Sequence, residues 1–411
     1  MTKDIILELI QDNIVSVWHS VSTDSLSDKE WDDVNIEEYS DQIKKDNENL
    51  LNEFLENINK KTNDFNSFIN RERILYVREY LGDSLCREYF NNIASFYDSI
   101  RSIEPQFDLN QLWQVVSNYL VYAIILAMLG RKQQCNDSIK AFCLLYPYTD
   151  NYIDSKDIPL SEKEKFNDMI FSSLNDLPVT FKDDLYLKIH KCLKDCQNYL
   201  DGTRKEAVTS ALLLMLDSQR NSSSLDGMTS AQFKDNYNKL VSMLAYKGGM
   251  TILNDYIFAI DSEESSALQF FLQLGMVLQL ADDLLDTNDD ILSNSPTLYS
   301  LVPDIKTREE GVNRLLHFTI HVFTKYIPED EKVHTFMLRT ILILLGFAVM
   351  RNGQYYSDEF KDNICRFMPF SKEYLLTINK RLSENANPTD KNLQKTKMQI
   401  DSIVALLKNE I

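Results

Sequence analysis

Glycine and proline are scarce in this sequence: its 411 residues contain 10 of one and 9 of the other. Each is near about 2%, against roughly 7% and 5% in average proteins, so the residues that turn or break a chain are rare. A polypeptide with so few breakers is constrained to long helices joined by short polar loops. Apolar residues agree: from Ile74 onward they recur mostly at steps of three to five, through Leu81, Cys86, Phe90, Ile93, Phe96 and Ile100, which is the rhythm of one helix face. No alternating strand pattern interrupts it. The expected fold class is all-α, a single bundle of a dozen or so helices.

Breaks are expected at 102–108, 131–137, 155–162, 175–181, 221–228, 293–306, 326–332 and 383–392, where polar and breaker residues cluster. No Gly/Ser-rich or Pro-rich linker divides the chain and no repeat of fixed period appears. We therefore read residues 1–411 as one domain, with acidic N-terminal helices over 1–70 and a packing helix at 391–411. Within the first part, 4–21 and 46–65 are amphipathic, and 22–39 carries seven Asp or Glu and reads as a solvated loop or short helices.

A hydrophobic fraction of 44% with 21 Phe and 20 Tyr allows a large core and a ring-lined interior. The formal charge of −19 argues against a nucleic-acid partner, which would need clustered Lys and Arg. A phosphate ester could be bound only through intervening cations. The six cysteines show no metal-ligand spacing and suit a reduced, cytoplasmic protein. The N-terminus has acidic residues where a signal peptide needs a basic start. Two apolar runs, 119–130 and 341–350, fall short of the ~20 residues that span a bilayer, so no membrane insertion is expected.

Chemistry is concentrated at Leu278 to Asp290, LQLADDLLDTNDD. In a helix Asp282 and Asp286 share a face, and Asp283 lies close beside them. The preceding stretch, Leu268 to Ala281, is uncharged and has only Gln269, Gln273 and Gln279 as polar side chains. Carboxylates packed this closely beside a buried helix call for a compensating charge, which a hard divalent cation supplies through oxygen ligands. The alternative is a solvated acidic helix face. A second pair, Asp150 and Asp154, occurs at the same i,i+4 spacing in Tyr146 to Asp154, YPYTDNYID. It supplies a candidate opposite jaw.

The segment Gly275 to Asp286, GMVLQLADDLLD, resembles the second aspartate-rich motif of the trans-prenyl diphosphate synthases, in which Gly, Gln and DDxxD recur on one helix. The likeness covers about residues 139–300 at the level of motifs. It implies the all-α isoprenoid synthase fold, with two acidic helices facing each other across a central apolar cavity. Asp150, Asp154, Asp282, Asp283 and Asp286 would hold Mg2+, three ions when the site is full, with Mn2+ as a substitute. The substrate would be a prenyl diphosphate, and such proteins commonly form homodimers.

The first motif departs from the chain-elongating pattern. It reads Asp150-Asn-Tyr-Ile-Asp154, and Ser155 to Pro159 follows in place of an arginine pair. A class I terpene synthase acting on one substrate is favoured, although the NDxxSxxxE motif of such enzymes is absent. The rivals are a prenyltransferase and a non-catalytic helical partner of a synthase.

For the diphosphate, Lys247 in Ala245 to Met250 (AYKGGM) lies where related synthases place a lysine, with two glycines allowing close approach. Arg220, Arg351, Tyr355 and Gln279 are further candidates, since arginine suits bidentate phosphate contact. His317 and His321 have the spacing of a metal pair but no third ligand, and a partly buried face is the better reading. Phe142, Tyr146, Tyr152, Phe270, Phe271 and Trp113 are candidate rings for a carbocation.

Overall fold

A computed structural model describes residues 3–27, 41–57, 71, 75–153, 155, 157–198, 202–222, 225, 227–260, 267–302, 304–326, 328–366 and 368–377. Among them the protein is helical throughout, with no strand. Lys3–Leu9 (α1) runs through a π turn, Ile10–Val15, into Ser16–Ser20 (α2). There follow Asp41–Asn57 (α3), Val77–Ile103 (α4), Leu109–Met128 (α5), Asp137–Ile153 (α6), Leu160–Leu174 (α7) and Asp184–Asn198 (α8). The second half comprises Gly202–Ser222 (α9), Phe233–Ala259 (α10), Leu268–Leu285 (α11), Thr287–Ser293 (α12), Ile305–Lys325 (α13), Glu331–Arg351 (α14) and Asp358–Arg366 (α15).

Several helix starts follow from their caps. Asp108 accepts the Gln111 amide at 2.9 Å while its own amide donates to the Gln111 side chain at 3.1 Å, a reciprocal box that opens α5. Asp304 and Asp330 cap α13 and α14 in the same sense, accepting from Thr307 and from Lys332 and Val333. Inside α4, Gly82 has φ +70° and ψ 167°, so the helix is broken there by a residue without a Cβ.

The helices α10 and α11 form the centre. Around them, α9, α5 and the π turn pack on α10, whereas α13 and α14 pack on α11. The α6 helix packs on α5 and α8. Tyr246, Tyr256, Phe271 and Phe318 are among the large side chains sealed inside.

The α10–α11 crossing is made by glycine. A Cβ built on Gly248 would lie 2.3 Å from the Gly275 carbonyl oxygen, and one on Gly275 would lie 2.2 Å from that of Gly248. The two backbones touch, and no side chain fits between them. This corrects the reading of the glycines beside Lys247. The close backbone approach that Gly248 permits is taken by α11.

The apolar runs at 119–130 and 341–350 belong to longer helices than their own lengths indicate. By length and composition α5, α11 and α14 could each cross a membrane, and 56%, 67% and 72% of their most apolar windows are buried inside the bundle. The expected breaks between 102 and 332 recur within a few residues, while those near 260–267 and 352–357 were unanticipated. The expected helix at 391–411 and the break at 383–392 lie outside the described residues, as do much of 22–39 and the end of 46–65.

Gly275→Ala should destabilise the protein by about 1–3 kcal/mol, because the added methyl must push α10 and α11 apart. Chemical denaturation of both proteins measures this; an unchanged midpoint would contradict backbone contact at the crossing.

Candidate metal centre

The helix α11 ends at the carboxylates. Its residues from Phe270 to Val277 are all buried, and the helix emerges only as the aspartates begin. Asp286 is both the C-cap of α11 and the N-cap of α12, with φ −94° and ψ 10°. The backbone ladder carries through it: the Asp286 amide donates to the Asp282 carbonyl and the Asp290 amide to the Asp286 carbonyl, each at 2.9 Å. Asp282, Asp286 and Asp290 therefore succeed one another at i,i+4 spacing along one side.

Each carboxyl resists ionisation. Burial raises the pKa of Asp282, Asp286 added to it and Lys247 opposing it. Asp282 is exposed to water, yet surrounding protein still desolvates it. Asp286 is half-buried and is raised by burial, with the Arg351 charge opposing. Burial pushes Asp283 up to about 8 and Asp290 up to about 6. Asp283 Oδ1 accepts from Gln279 Nε2 at 2.9 Å, while its buried Oδ2 has no hydrogen-bond partner.

The glycine crossing places Lys247 of α10 beside α11, where its charge acts on both Asp282 and Asp283. Asp150 lies in the last turn of α6, and its surroundings fix its direction. Tyr148 donates to Glu104 through its hydroxyl, and Tyr152 stacks on Phe166 with centroids 4.1 Å apart. Residues two before and two after Asp150 point to the opposite side of the helix from it. Cys143, two turns earlier on the Asp150 face, feels the charge of Asp255 on α10. The α6 helix runs unbroken through Pro147. Asp154 is outside the described residues.

Of the remaining candidates, Arg351 and Tyr355 lie beside α12, whereas Arg220 lies apart. Arg220 donates to Asp168 of α7 at 2.8 Å, an ion pair on the seam between α7 and α9. Arg351 approaches Asp289 at 3.9 Å. The Tyr355 hydroxyl donates to Asn288 Oδ1 at 3.0 Å. His317 contacts the Asp24 carbonyl through Nε2 at 2.9 Å, which occupies one nitrogen of the candidate metal pair. All six cysteines are unpaired.

Phe270 and Phe271, taken as neighbours of the second motif, lie away from its acids. Trp113 is 64% exposed on α5. Phe270 stacks on Tyr326 and Phe271 on Tyr256, at the opposite end of α11, about 18 Å along the helix from Asp282. A hollow of about 520 Å3 lies elsewhere, beside α7, where Lys165 and Lys182 already pair with Glu162.

Sequence reasoning missed Asp290, although it continues the i,i+4 series, and Asp255, which is wholly buried on α10 with neither oxygen hydrogen-bonded. It also missed Asn352, for which no local signal exists.

Among the described residues, no three His, Cys, Asp or Glu side chains converge as a metal-holding group. The donors nevertheless suit Mg2+, which is commonly held by one or two carboxylates with water and phosphate oxygens completing the octahedron. An unpartnered Asp283 oxygen and a row of desolvated acids fit a cation arriving with its ligand. Compared with family models, curated proteins and solved structures, the chain matches none. The resemblance to isoprenoid synthases rests on motif residues alone.

In metal-free buffer the unfolded chain releases the Asp283 proton near pH 4, whereas the folded protein keeps it to about pH 8. The stability this group contributes is complete below the lower value and is lost as pH rises toward the upper one, by up to ~1.4 kcal/mol per unit. Asp283→Asn should gain on the wild type from about pH 5 to about pH 8 and then level off. Thermal melts across that range test it; a pH-independent difference would contradict the desolvated environment.

Proposed function

We propose that this protein is a Mg2+-dependent class I terpene synthase that ionises one allylic prenyl diphosphate. The carrying observation is the desolvated row Asp282, Asp286 and Asp290, with Lys247 beside it. Burial opposes its negative charge, so the row is primed for a cation. Bound Mg2+ would neutralise charge on the departing diphosphate.

In that reading Asp282, Asp283 and Asp286 would hold the ions from one side and Asp150 of α6 from the other, together with Asp154, which follows it in sequence. Lys247 and Arg351 carry positive charge to the diphosphate oxygens, and Gln279 fixes Asp283 through their hydrogen bond. The allylic C–O bond breaks heterolytically, its electron pair leaves with diphosphate, and the carbon chain remains as a cation. That cation cyclises and then either loses a proton to form an alkene or adds water and loses a proton to form an alcohol.

One observation favours a second reading. The spacing of Gly275, Gln279 and the aspartates is that of chain-elongating synthases, and Gly275 lies at the α10–α11 contact. A prenyltransferase would join the same allylic cation to isopentenyl diphosphate. It shares the carboxylates and the ion.

Purified protein, Mg2+ and a panel of prenyl diphosphates of increasing length should yield a hydrocarbon or alcohol with inorganic diphosphate. Asp282→Ala should lower turnover by roughly 100-fold or more. Product formed only after isopentenyl diphosphate is added would replace the cyclase by the prenyltransferase. Absence of turnover with every substrate would contradict both and leave a non-catalytic helical partner.

A further inference from the structure

A helix leaves its last carbonyls without intrahelical donors, and α11 ends where those carbonyls are partly or wholly buried. The donor comes from a distant residue. Asn352, just beyond α14 and 1% exposed, directs its side-chain nitrogen at the carbonyls of Leu284 at 2.9 Å, Leu285 at 3.0 Å and Ala348 at 3.0 Å. Its side-chain oxygen accepts the Asn288 amide of α12 at 3.1 Å. One amide therefore closes the end of α11 and the start of α12, and the residue between them is Asp286.

The next residues strengthen the joint. Asn288 Oδ1 accepts from Gln354 Nε2 at 3.2 Å and from the Tyr355 hydroxyl at 3.0 Å. The Tyr355 ring lies against Arg308, whose carbon is 5.2 Å from the centroid. Arg308 in turn donates to the Tyr355 and Tyr299 carbonyls at 3.3 and 3.1 Å. The turn after α14 is thus built onto the carboxylate helix.

We propose that Asn352 is a positioning residue for the metal centre: it splices α11 to α12 at Asp286 and so keeps Asp282, Asp286 and Asp290 in one row. This rests on the metal-binding reading above. A helix that simply ended at Leu285 would let Asp286 and Asp290 swing away from Asp282, and no cation could be shared along the series. Asn352 touches none of the carboxylates in the contacts described, and acts through the backbone that carries them.

Mn2+ titration followed by electron paramagnetic resonance tests this, with circular dichroism confirming that each variant is folded at the temperature used. Wild type should remove the free-Mn2+ signal. Asn352→Ala and the isosteric Asn352→Asp, whose carboxylate cannot donate to the carbonyls, should bind Mn2+ roughly 10–100-fold more weakly and alter the bound-ion spectrum. Asn288→Ala leaves the Asn352 contacts in place and cuts the side-chain ties to Gln354, Tyr355 and Asp289; it should fold and bind several-fold more weakly, which keeps the test open if the Asn352 variants do not fold. A folded Asn352 variant, or Asn288→Ala where none folds, that binds Mn2+ as wild type does overturns the positioning role while leaving the metal reading intact. A wild type that never removes free Mn2+ overturns the metal reading and the positioning role together.

Discussion

The backbone contact between Gly248 and Gly275 decides how the two central helices relate, and the candidate centre inherits its geometry from that contact. With no side chain at either position, α10 and α11 pack with their backbones in contact. Lys247, adjacent to the contact, is thereby set against the acidic end of α11, where its charge reaches Asp282 and Asp283. Gln279, one turn beyond Gly275, reaches Asp283. A larger residue at the crossing would displace the lysine, the amide and the acids relative to one another.

The acids themselves are held in a state that the protein alone leaves strained electrostatically. Burial works against ionisation at Asp282, Asp283, Asp286 and Asp290, and the carboxyls of the series raise one another. Surface carboxylates of the same chain are treated differently: Lys165 and Lys182 hold Glu162 down at about 2. A fold that could have dispersed or paired these aspartates has gathered them beside a buried helix, and Asn352 spends a buried amide on keeping that helix continuous with the next. In the reading proposed above, the missing positive charge arrives from solution.

Much of this was legible in the sequence, and the portions that were not share a cause. Scarcity of glycine and proline specified an all-helical chain, and i,i+4 spacing placed Asp282 and Asp286 together because both are local properties. Asp290 obeyed the same spacing and was readable on that ground. The pairing of Gly248 with Gly275, and the grip of Asn352 on carbonyls 67 and 68 residues earlier, are tertiary. Neither periodicity nor composition encodes which distant partner a glycine or an asparagine will meet. The aromatic residues failed for the same reason: closeness in sequence to a motif placed Phe270 near Asp282 in the chain and about 18 Å from it along α11.

The central claim is that the acidic end of α11 takes up a divalent cation. Anomalous diffraction from crystals of the full chain grown with Mn2+ and inorganic diphosphate tests it most directly. The account predicts at least one anomalous peak about 2.0–2.3 Å from carboxylate oxygens of Asp282 or Asp286, bridged to the diphosphate. Well-ordered aspartates with no peak beside them, or Mn2+ bound only elsewhere, would contradict it.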